Sequence, residues 1–318
     1  MKHEAVMSAP HDSPDNSHGA CEDPGRTDGR VDRADRRDNS RIDEYGVIGH
    51  PVAHSWSPFI HGLFARQTGQ ALVYRLHDVA PEHFREHVLR FAASGGRGLN
   101  ITIPHKVAAA ELAEELTARA ERAGAVNTLS CDGARIRGDN TDGAGLVCDL
   151  RDNLGVAVAK RRILIAGAGG AARGVIAPLL ELEPAELVIA NRSAERARTL
   201  AAYFAKLGPV RGCAFGELAA GAFDLIINAT SASLTGEVPA IPDAAVSAET
   251  VCYDMAYSKT DTAFVRWARA RGCGCAVQGW GMLVEQAAES FRLWHGVRPD
   301  TAPVLALLCS RTEPAPHV

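Results

Sequence analysis

We predict from the sequence a two-domain α/β protein, and three observations support this. The chain has 318 residues, a length that favours two domains. Between residues 161 and 277 apolar strands alternate with helices, as in a parallel sheet covered on both faces. A glycine-rich turn joins the first of these strands to the next helix. Ligands of such sheets bind outside the carboxyl ends of the strands, so polar residues at strand ends are candidate site residues.

The glycine-rich turn has the G-x-G-x-x-G/A spacing of a dinucleotide-binding site. Gly167 allows a tight turn after the strand at residues 163–166, Gly169 lets a pyrophosphate approach the backbone, and Ala172 permits close helix packing. The helix predicted over residues 173–182 directs its first N–H groups at the phosphates. We therefore predict a Rossmann-type, doubly wound cofactor domain. The turn residues expected to bind the cofactor are Gly167, Gly169, Gly170 and Ala171.

The end of the second strand, at residues 186–190, indicates which dinucleotide binds. An NAD site usually has an acid there for the ribose 2′-hydroxyl, but this strand is followed by Asn191 and Arg192, with Arg196 one helical turn on. Two arginines suit a 2′-phosphate, so we predict NADP and assign all three residues to it. One charge-assisted hydrogen bond gives about 1.5–3 kcal/mol, or about 10- to 150-fold in preference. The alternative is a solvated helix face.

Composition excludes several classes of partner. The chain is 46% hydrophobic and 23% charged with a net charge of −4, which gives no reason to expect nucleic acid or an anionic membrane. No apolar run approaches the ~20 residues that span a bilayer, and the N-terminus lacks a signal-peptide core. The eight cysteines form no C-x-x-C pair, so we expect free thiols, no metal site and a cytoplasmic protein.

Residues 1–40 are predicted to be a disordered tail. They are rich in Asp, Arg, Ser, Pro and Gly and cannot bury enough apolar surface to offset the entropy of ordering. His3, His11 and His18 have no spacing that supports a metal site.

The folded part begins with a strand at residues 45–49 and a helix at residues 59–65. Between them, Ser57 is predicted as the helix N-cap, with Pro58 at the first helical position. That capping role leaves Ser55 unexplained. Two hydroxyls beside a strand end and a helix N-terminus make a good carboxylate receptor.

A strand at residues 71–78 and a helix at residues 81–94 precede the run from Gly98 to Lys106. Alternation places Leu99, Ile101 and Ile103 on one face of this strand. Asn100 and Thr102 lie on the other face, which is unusual because such strands are normally apolar on both faces. Lys106 beside these polar residues is a candidate catalyst; the alternative is a solvated charge.

One helix is predicted over residues 107–122, followed by Asn127 and a hairpin turn around Gly133. A polar and glycine-rich run then leads into an apolar helix at residues 146–154. Asp142 would lie near that helix N-terminus, where a carboxylate is favoured. The alternative is an ordinary N-cap.

Four strands are clear in the second half, at residues 162–166, 186–190, 225–228 and 251–254. A long helix at residues 283–294 and a last helix at residues 302–309 follow. Asn228 to Ser231 ends a buried strand on the edge that carries the glycine turn, so it is well placed under a nicotinamide. Further residues assigned to the cofactor are Thr230, Gly279 and Met282.

Eight runs, in order over residues 45–310, resemble the shikimate dehydrogenase family. They are Gly49-His-Pro-Val-Ala-His-Ser-x-Ser-Pro58, Asn100-x-Thr-x-Pro-x-Lys106, Gly124-Ala-Val-Asn-Thr128, Asn140-Thr-Asp-Gly143, Gly167-x-Gly-Gly-Ala-Ala-Arg173, Ile227-Asn-Ala-Thr-Ser231, Asp254-Met-Ala-Tyr257 and Gly281-Met-Leu-Val-x-Gln286. One such run means little, but eight in order are specific.

The resemblance implies interconversion of 3-dehydroshikimate and NADPH with shikimate and NADP, in aromatic amino-acid biosynthesis. It implies a substrate domain at residues 41–145, an NADP-binding Rossmann domain at 146–277, and C-terminal helices at 278–318 that pack back on the substrate domain, with a cleft between the domains. The expected partner is the small-molecule substrate, with no nucleic acid or membrane, and the protein is expected to be a monomer or homodimer.

The resemblance also implies roles for individual residues. Ser55 and Ser57 would bind the substrate carboxylate, with Tyr257 on the substrate side and Asn100 close by. The ring hydroxyls would be bound by Asn127, Asp142, Lys106, Thr102 and Gln286. A secondary alcohol must lose a proton as its hydride leaves, and Lys106 and Asp142 are the candidates to exchange that proton. Which of the two does so stays open.

This sequence departs from the family pattern at several positions, none of which touches the Lys106–Asp142 pair. We therefore expect the departures to affect substrate preference rather than activity. They are His50 for a frequent Asn, Gly62 for Asn, Ser233 for Gly, Ser258-Lys259 for Asn-Pro, and Gln278 for Asp.

Three alternatives stay open at this point. A quinate/shikimate dehydrogenase, often NAD-using, would be favoured by an acid after Ala190, which the sequence lacks. A non-catalytic NADP- or metabolite-sensing regulator on this fold would be favoured by loss of Lys106 or Asp142. A folate-type or glutamate-type dehydrogenase shares the cofactor turn but not the Ser-x-Ser-Pro run.

Overall fold

Two six-stranded sheets form the framework of the molecule, one in each half of the chain. The structure, a computed structural model, describes residues 42–310. The tail predicted over residues 1–40, with its three histidines, lies outside the described residues, as do residues 311–318.

The first sheet is mixed. Its order is β2-β1-β3-β5-β6-β4; β1 is parallel to β2 and β3, whereas β5 is antiparallel to β3 and β6. The hairpin predicted around Gly133 is confirmed as the β5–β6 connection. The strands are β1 Asp43–Gly49, β2 Leu72–Asp78, β3 Gly98–Ile101, β4 Glu115–Leu116, β5 Thr128–Asp132 and β6 Arg135–Asp139. The helices are α1 Ser57–Thr68, α2 Phe84–Ala93, α3 Lys106–Leu112 and α4 Ala118–Ala123.

The second sheet is parallel, with the order β9-β8-β7-β10-β11-β12 of a doubly wound domain, which confirms the Rossmann-type prediction. Since β7 pairs with both β8 and β10, the chain reverses direction across the sheet there and opens a crevice at the strand ends. The strands are β7 Arg162–Ala166, β8 Glu186–Asn191, β9 Val210–Ala214, β10 Leu225–Asn228, β11 Val251–Asp254 and β12 Cys275–Gln278. The helices are α6 Gly170–Leu180, α7 Ala194–Phe204 and α8 Ala263–Ala270.

Three further helices join the two halves: α5 Asp142–Cys148, which continues as a π-helical segment Asp149–Asn153, α9 Trp280–His295 and α10 Ala302–Cys309. α9 packs closely on α5, since a Cβ on Gly145 would lie 2.7 Å from the backbone nitrogen of Gln286. It also covers α1, where Ile60 and Phe64 share a buried core with Val284 and Phe291. The C-terminal helices thus return to the first half of the chain.

The single helix predicted over residues 107–122 is wrong. α3 ends at Leu112, and the chain between the helices pairs with β6: Glu114 N–H donates to Ile136 O (2.9 Å) and Thr117 N–H to Gly138 O (3.0 Å). The Thr117 hydroxyl then caps α4 by accepting from Ala120 N–H. Hydrogen bonding to the sheet overrides the helix propensity of this alanine-rich run.

The expected N-cap of α1 is also wrong. Ser57 is the first helical residue, Trp56 occupies the cap position, and the Ser57 N–H donates to Ser55 Oγ (3.3 Å). Ser55 therefore satisfies an N–H at the start of this helix.

Two other predictions need smaller corrections. The helix expected from residue 146 begins four residues earlier, so Asp142 is its first residue. β3 ends at Ile101, and Ile103, expected on the buried face with Leu99, is 41% exposed at the strand end. The start of α5 at Asp142 could not be predicted, because the glycines of the polar run at residues 137–145 predict a loop.

The cysteines within residues 42–310 are all free thiols. In the same range no helix is long and apolar enough to cross a bilayer.

Candidate active site

A cleft of about 180 Å³ lies where the strand ends of the two sheets face each other. Its walls come from both halves of the chain, including Val47 and Ile101 on one side and Ala229 and Met255 on the other. Every residue that the sequence predicted as catalytic or substrate-binding lines it: Ser55, Ser57, Asn100, Thr102, Lys106, Asn127, Asp142, Tyr257 and Gln286.

Lys106 and Asp142 form an ion pair in this cleft, with 2.5 Å between Nζ and Oδ2. Each is the first residue of a helix, Lys106 of α3 and Asp142 of α5. A cation is disfavoured at a helix N-terminus and an anion favoured, so the carboxylate offsets the unfavourable position of the ammonium group. Their side chains are only 12% and 5% exposed, which limits competition from water. The pair is a proton donor and acceptor held at one point of the cleft wall.

Asn127 fixes the other carboxylate oxygen. Its Oδ1 accepts hydrogen bonds from the Thr141 N–H (2.8 Å) and the Thr128 hydroxyl (2.9 Å), which sets the orientation of the amide. The Nδ2 group therefore donates to Asp142 Oδ1 (2.9 Å). Gln286, from α9, approaches the same Nδ2 with its Oε1 at 3.3 Å. The carboxylate is thus held from both of its oxygens.

Asn100 has partners on both ends of its amide. Its Oδ1 accepts from the Tyr74 hydroxyl (2.7 Å), and its Nδ2 donates to Ser290 Oγ (3.0 Å) and Thr128 Oγ1 (3.2 Å). A continuous chain of hydrogen bonds therefore runs from Tyr74 through Asn100 and Thr128 towards the ion pair. These hydrogen bonds fix the orientations of the polar side chains behind the cleft wall.

Sequence reasoning missed four members of this hydrogen-bonded chain: Tyr74, Thr128, Thr141 and Ser290. Thr128 and Thr141 stand next to Asn127 and Asp142 in the family runs, and that adjacency was the available signal. Tyr74 and Ser290 have no such neighbours, because a hydroxyl on a buried helix or strand leaves no periodic pattern.

The opposite end of the cleft carries neutral hydroxyls. Ser55 Oγ donates to Ser57 Oγ (3.1 Å), and Tyr257 and Thr102 line the same cavity. Burial raises the pKa of Tyr257 to about 12, although hydrogen bonds with the Trp56 backbone and Ser55 oppose this. Tyr257 therefore keeps its proton at neutral pH and can donate it to an anion.

The glycine turn leaves space for a dinucleotide. Gly167 has φ of 109°, and a Cβ there would lie 3.0 Å from Ala229 O, so only glycine suits this position. A Cβ on Gly169 would meet nothing within 4 Å, so this side of the turn is open. A Cβ on Gly170 would lie 3.1 Å from the Cβ of Lys106, so Gly170 lies against the Lys106 side chain. The turn thus borders the ion pair. The other cleft-lining residues assigned to the cofactor are Ala171, Thr230, Gly279 and Met282.

The end of β8 carries no acid. Asn191 donates its side-chain N–H to Ser193 O (3.1 Å), and Ser193 caps α7. Arg192 and Arg196 are exposed, and within residues 42–310 their guanidinium groups make no ion pair. Two uncommitted cations beside a helix N-terminus fit a phosphate, so these residues suit the 2′-phosphate of NADP. They lie outside the cleft that holds the ion pair.

Comparison with known proteins gives matches along the whole folded chain. Residues 47–129 match the shikimate dehydrogenase substrate binding domain, residues 150–239 the shikimate/quinate 5-dehydrogenase family, and residues 279–309 the shikimate 5′-dehydrogenase C-terminal domain. A Hahella chejuensis protein named shikimate dehydrogenase (NADP(+)) is 54% identical over 265 residues, which is 83% of this chain and 98% of the relative.

Solved structures agree with these matches. An Ael1 enzyme from Pseudomonas putida superimposes with a TM-score of 0.76 at 44% identity, over 86% of this chain and 99% of its own. Shikimate 5-dehydrogenase from Thermus thermophilus, in complex with NADP(H) and shikimate, gives a TM-score of 0.75 at 31% identity, over 85% and 100%.

Proposed function

The chain belongs to the shikimate dehydrogenase family, and from that premise we propose that Lys106 and Asp142 exchange the proton of its reaction. The protein is an NADP-dependent oxidoreductase that interconverts shikimate and 3-dehydroshikimate, a step of the shikimate pathway. When bound, the cofactor supplies or accepts the hydride. The protein must therefore supply or accept the accompanying proton and hold the ring in place.

The ion pair suits this task. In the reducing direction the Lys106 ammonium group is the acid that protonates the oxygen on which negative charge develops. Asp142, 2.5 Å away, holds the lysine in position and balances its charge. In the oxidising direction the pair takes the proton back, and the 12% exposure of Lys106 gives it a route to solvent. We assign the proton to the pair, because Lys106 Nζ and Asp142 Oδ2 are hydrogen-bonded at 2.5 Å and a proton can pass between them.

The remaining polar groups of the cleft divide into two sets by chemistry. Neutral donors at Ser55, Ser57 and Tyr257 suit the substrate carboxylate, because hydrogen bonds to an ionised acceptor are stronger than those between neutral groups. The amides of Asn127 and Gln286, with the Thr102 hydroxyl, suit ring hydroxyls, which both donate and accept. Asn100 supports this set from behind, because its amide already has protein partners.

The cofactor site extends from the glycine turn to the end of β8. We propose that the turn at residues 167–171 holds the pyrophosphate, that Asn191, Arg192 and Arg196 hold the 2′-phosphate, and that Thr230, Gly279 and Met282 border the nicotinamide. The open space beside Gly169 supports this. We propose that residues 41–145 form the substrate-binding domain and residues 146–277 the cofactor-binding domain. The C-terminal helices of residues 278–318 pack back on the substrate domain.

We further propose a cytoplasmic protein that acts as a monomer or homodimer, with its small-molecule substrate as partner and no nucleic acid. The net charge of −4 supports the last point.

The observation that carries the proposal is the buried Lys106–Asp142 pair between a set of neutral hydroxyls and an open glycine turn. Initial rates with shikimate and with quinate, each with NADP and with NAD at one pH, test it. A strong preference for shikimate with NADP is the expected result. Comparable rates with quinate or NAD would indicate the broader quinate/shikimate specificity. No turnover by a folded protein that still binds NADP would indicate a sensor instead.

A further inference from the structure

A fully buried carboxylate lies behind the cofactor side of the cleft. Asp254, at the end of β11, accepts four hydrogen bonds: from Ser233 Oγ (2.6 Å), Thr262 Oγ1 (2.7 Å), Asn228 Nδ2 (3.0 Å) and the Ala256 N–H (3.1 Å). A buried charge is costly unless it is paired or hydrogen-bonded. Here it is satisfied entirely by neutral donors, which come from the ends of two adjacent strands and from the start of α8.

Asn228 connects Asp254 to the lining of the cleft through hydrogen bonds. Its Nδ2 donates to Asp254 Oδ1 (3.0 Å) and Ser233 Oγ (3.1 Å), so its amide can have only one orientation. The Oδ1 atom therefore faces Thr230 and accepts from both its N–H (3.1 Å) and its hydroxyl (2.7 Å). Thr230 lines the cleft. The turn at residues 229–230 is thus fixed from behind by the Asn228 side chain.

This turn also touches the glycine turn. The Ala229 N–H donates to Ala166 O (2.8 Å), and Ala229 O lies only 3.0 Å from the place where a Gly167 Cβ would be. A shift of residues 229–230 would therefore change the shape of the phosphate-binding turn as well.

The Ser233 hydroxyl joins the two ends of this arrangement, since it donates to Asp254 Oδ2 and accepts from Asn228 Nδ2. Glycine has no hydroxyl and could neither donate to Asp254 nor accept from Asn228. The serine therefore adds two hydrogen bonds to the arrangement that orients Asn228.

We propose that Ser233 is a positioning residue for NADP, acting through Asp254 and Asn228 to hold the turn at residues 229–230 where it borders the cofactor. This inference rests on the proposed function, because it assumes that the cofactor lies against that turn. Ser233 does not touch the reacting atoms. Its effect should appear in cofactor affinity and not in shikimate affinity.

The test replaces Ser233 by alanine and by glycine and measures the dissociation constant of NADP⁺ by titration of the intrinsic tryptophan fluorescence. Loss of these hydrogen bonds is expected to weaken NADP⁺ binding about 2- to 10-fold. The KM for shikimate at saturating NADP⁺ should stay unchanged. Ser233→Thr keeps the hydroxyl and should restore the affinity.

Two other variants separate positioning from general stability. Thr260 is exposed and lies outside the cleft lining, and its hydroxyl makes no hydrogen bond within residues 42–310, so Thr260→Ala should behave as the unmodified protein. Thr262 donates to the same Asp254 oxygen as Ser233 but caps α8, outside the cleft lining. Thr262→Ala should lower Tm and leave NADP⁺ affinity unchanged.

Equal NADP⁺ affinity in Ser233→Ala and Thr260→Ala would overturn the proposal. So would equal weakening in Ser233→Ala and Thr262→Ala, which would mean that both act only through stability. Failure of the proposed function looks different, because the unmodified protein would then show no turnover with NADP⁺ or no binding of it.

Discussion

Lys106 and Asp142 meet because two short helices begin at the same point of the cleft. A lysine alone at a strand end would be an ordinary solvated charge. With a carboxylate at 2.5 Å and little exposure it becomes a defined proton donor. The pair could be predicted from the sequence, because the runs Asn100–Lys106 and Asn140–Gly143 both resemble the family pattern. The hydroxyls of Tyr74 and Ser290 could not, because buried hydrogen bonds between distant strands and helices depend on the fold.

Removal of the lysine should affect chemistry more than binding. Lys106→Ala should lower kcat by about 10²- to 10⁴-fold, the usual contribution of a positioned acid or base, with a much smaller rise in KM for shikimate. Steady-state kinetics at saturating NADP⁺ measure both. Lys206→Ala removes an exposed lysine and is the control. An unchanged kcat with a raised KM would make Lys106 a binding residue.

The two arginines at the end of β8 should set cofactor preference. Arg192→Ala should reduce the ratio of kcat/KM for NADP⁺ to that for NAD⁺ by about 10- to 150-fold, the value of one charge-assisted hydrogen bond. Arg198, which lies on α7 with Arg196 but is paired with Glu217, provides the control. If Arg192→Ala and the Arg198 variant both keep the NADP⁺ to NAD⁺ ratio of the unmodified protein, the 2′-phosphate is bound elsewhere.

At the scale of elements, α5 and α9 decide whether the site is assembled. α5 carries Asp142 and α9 carries Gln286, and the two helices approach so closely that Gly145 has no room for a side chain. Glycine within a helix normally destabilises it relative to alanine. Gly145 is present here because the close packing of α5 and α9 leaves no room for a side chain.

Gly145→Ala should therefore destabilise the protein by about 1–3 kcal/mol, because its Cβ would lie 2.7 Å from Gln286 N and 2.9 Å from Met282 O. Gly62 on α1 is the matched opposite case, since only an arginine tip at 4.0 Å would meet its Cβ. Gly62→Ala should stabilise by about 0.5–1 kcal/mol. Urea unfolding measures the change in the free energy of unfolding for both variants. A change of the same sign in both would contradict the packing argument.

Element boundaries show what the sequence can and cannot predict. β9 and β12 contain few large apolar residues and were not predicted. The positions of β7, β8, β10 and β11 follow from their apolar runs. The break between α3 and α4 does not, because it depends on β6, which lies more than twenty residues further along the chain. Local propensity favours one helix there, and only the pairing with the sheet breaks it.

At the scale of the whole molecule, one carboxylate joins α9 near the end of the chain to α4 in its first half. Glu289 on α9 is only 10% exposed and pairs with Arg119 on α4 (3.0 Å) as well as with Arg292 (2.7 Å) and Arg298 (3.2 Å). Hydrogen bonds from Arg292, and then from Arg119, lower the pKa of Glu289 to about 2 although burial opposes this.

Glu289→Gln should therefore destabilise the protein by about 1.5–3 kcal/mol at neutral pH. A lowered pKa stabilises the folded state above the unfolded value of about 4.3, and that stability is lost as the pH falls towards 2. Urea unfolding at pH 7 and pH 3 should show a difference between variant and unmodified protein that shrinks clearly at pH 3. Glu86→Gln, from an exposed pair with Arg90, should have little effect at either pH. A difference independent of pH would mean that the Glu289 charge is not responsible.

The return of the last helices to the first half of the chain has a consequence for biosynthesis on the ribosome. Ile60 and Phe64 on α1 belong to a core completed by Phe291 on α9 and Leu308 on α10. Multidomain chains generally fold from the N-terminus as they emerge. Here the apolar face of α1 stays uncovered until α9 and α10 have been translated. The parallel sheet translated in between carries all of its own strands and can form earlier. We therefore expect the core of the second sheet to form before the core around α1, although α1 is translated first.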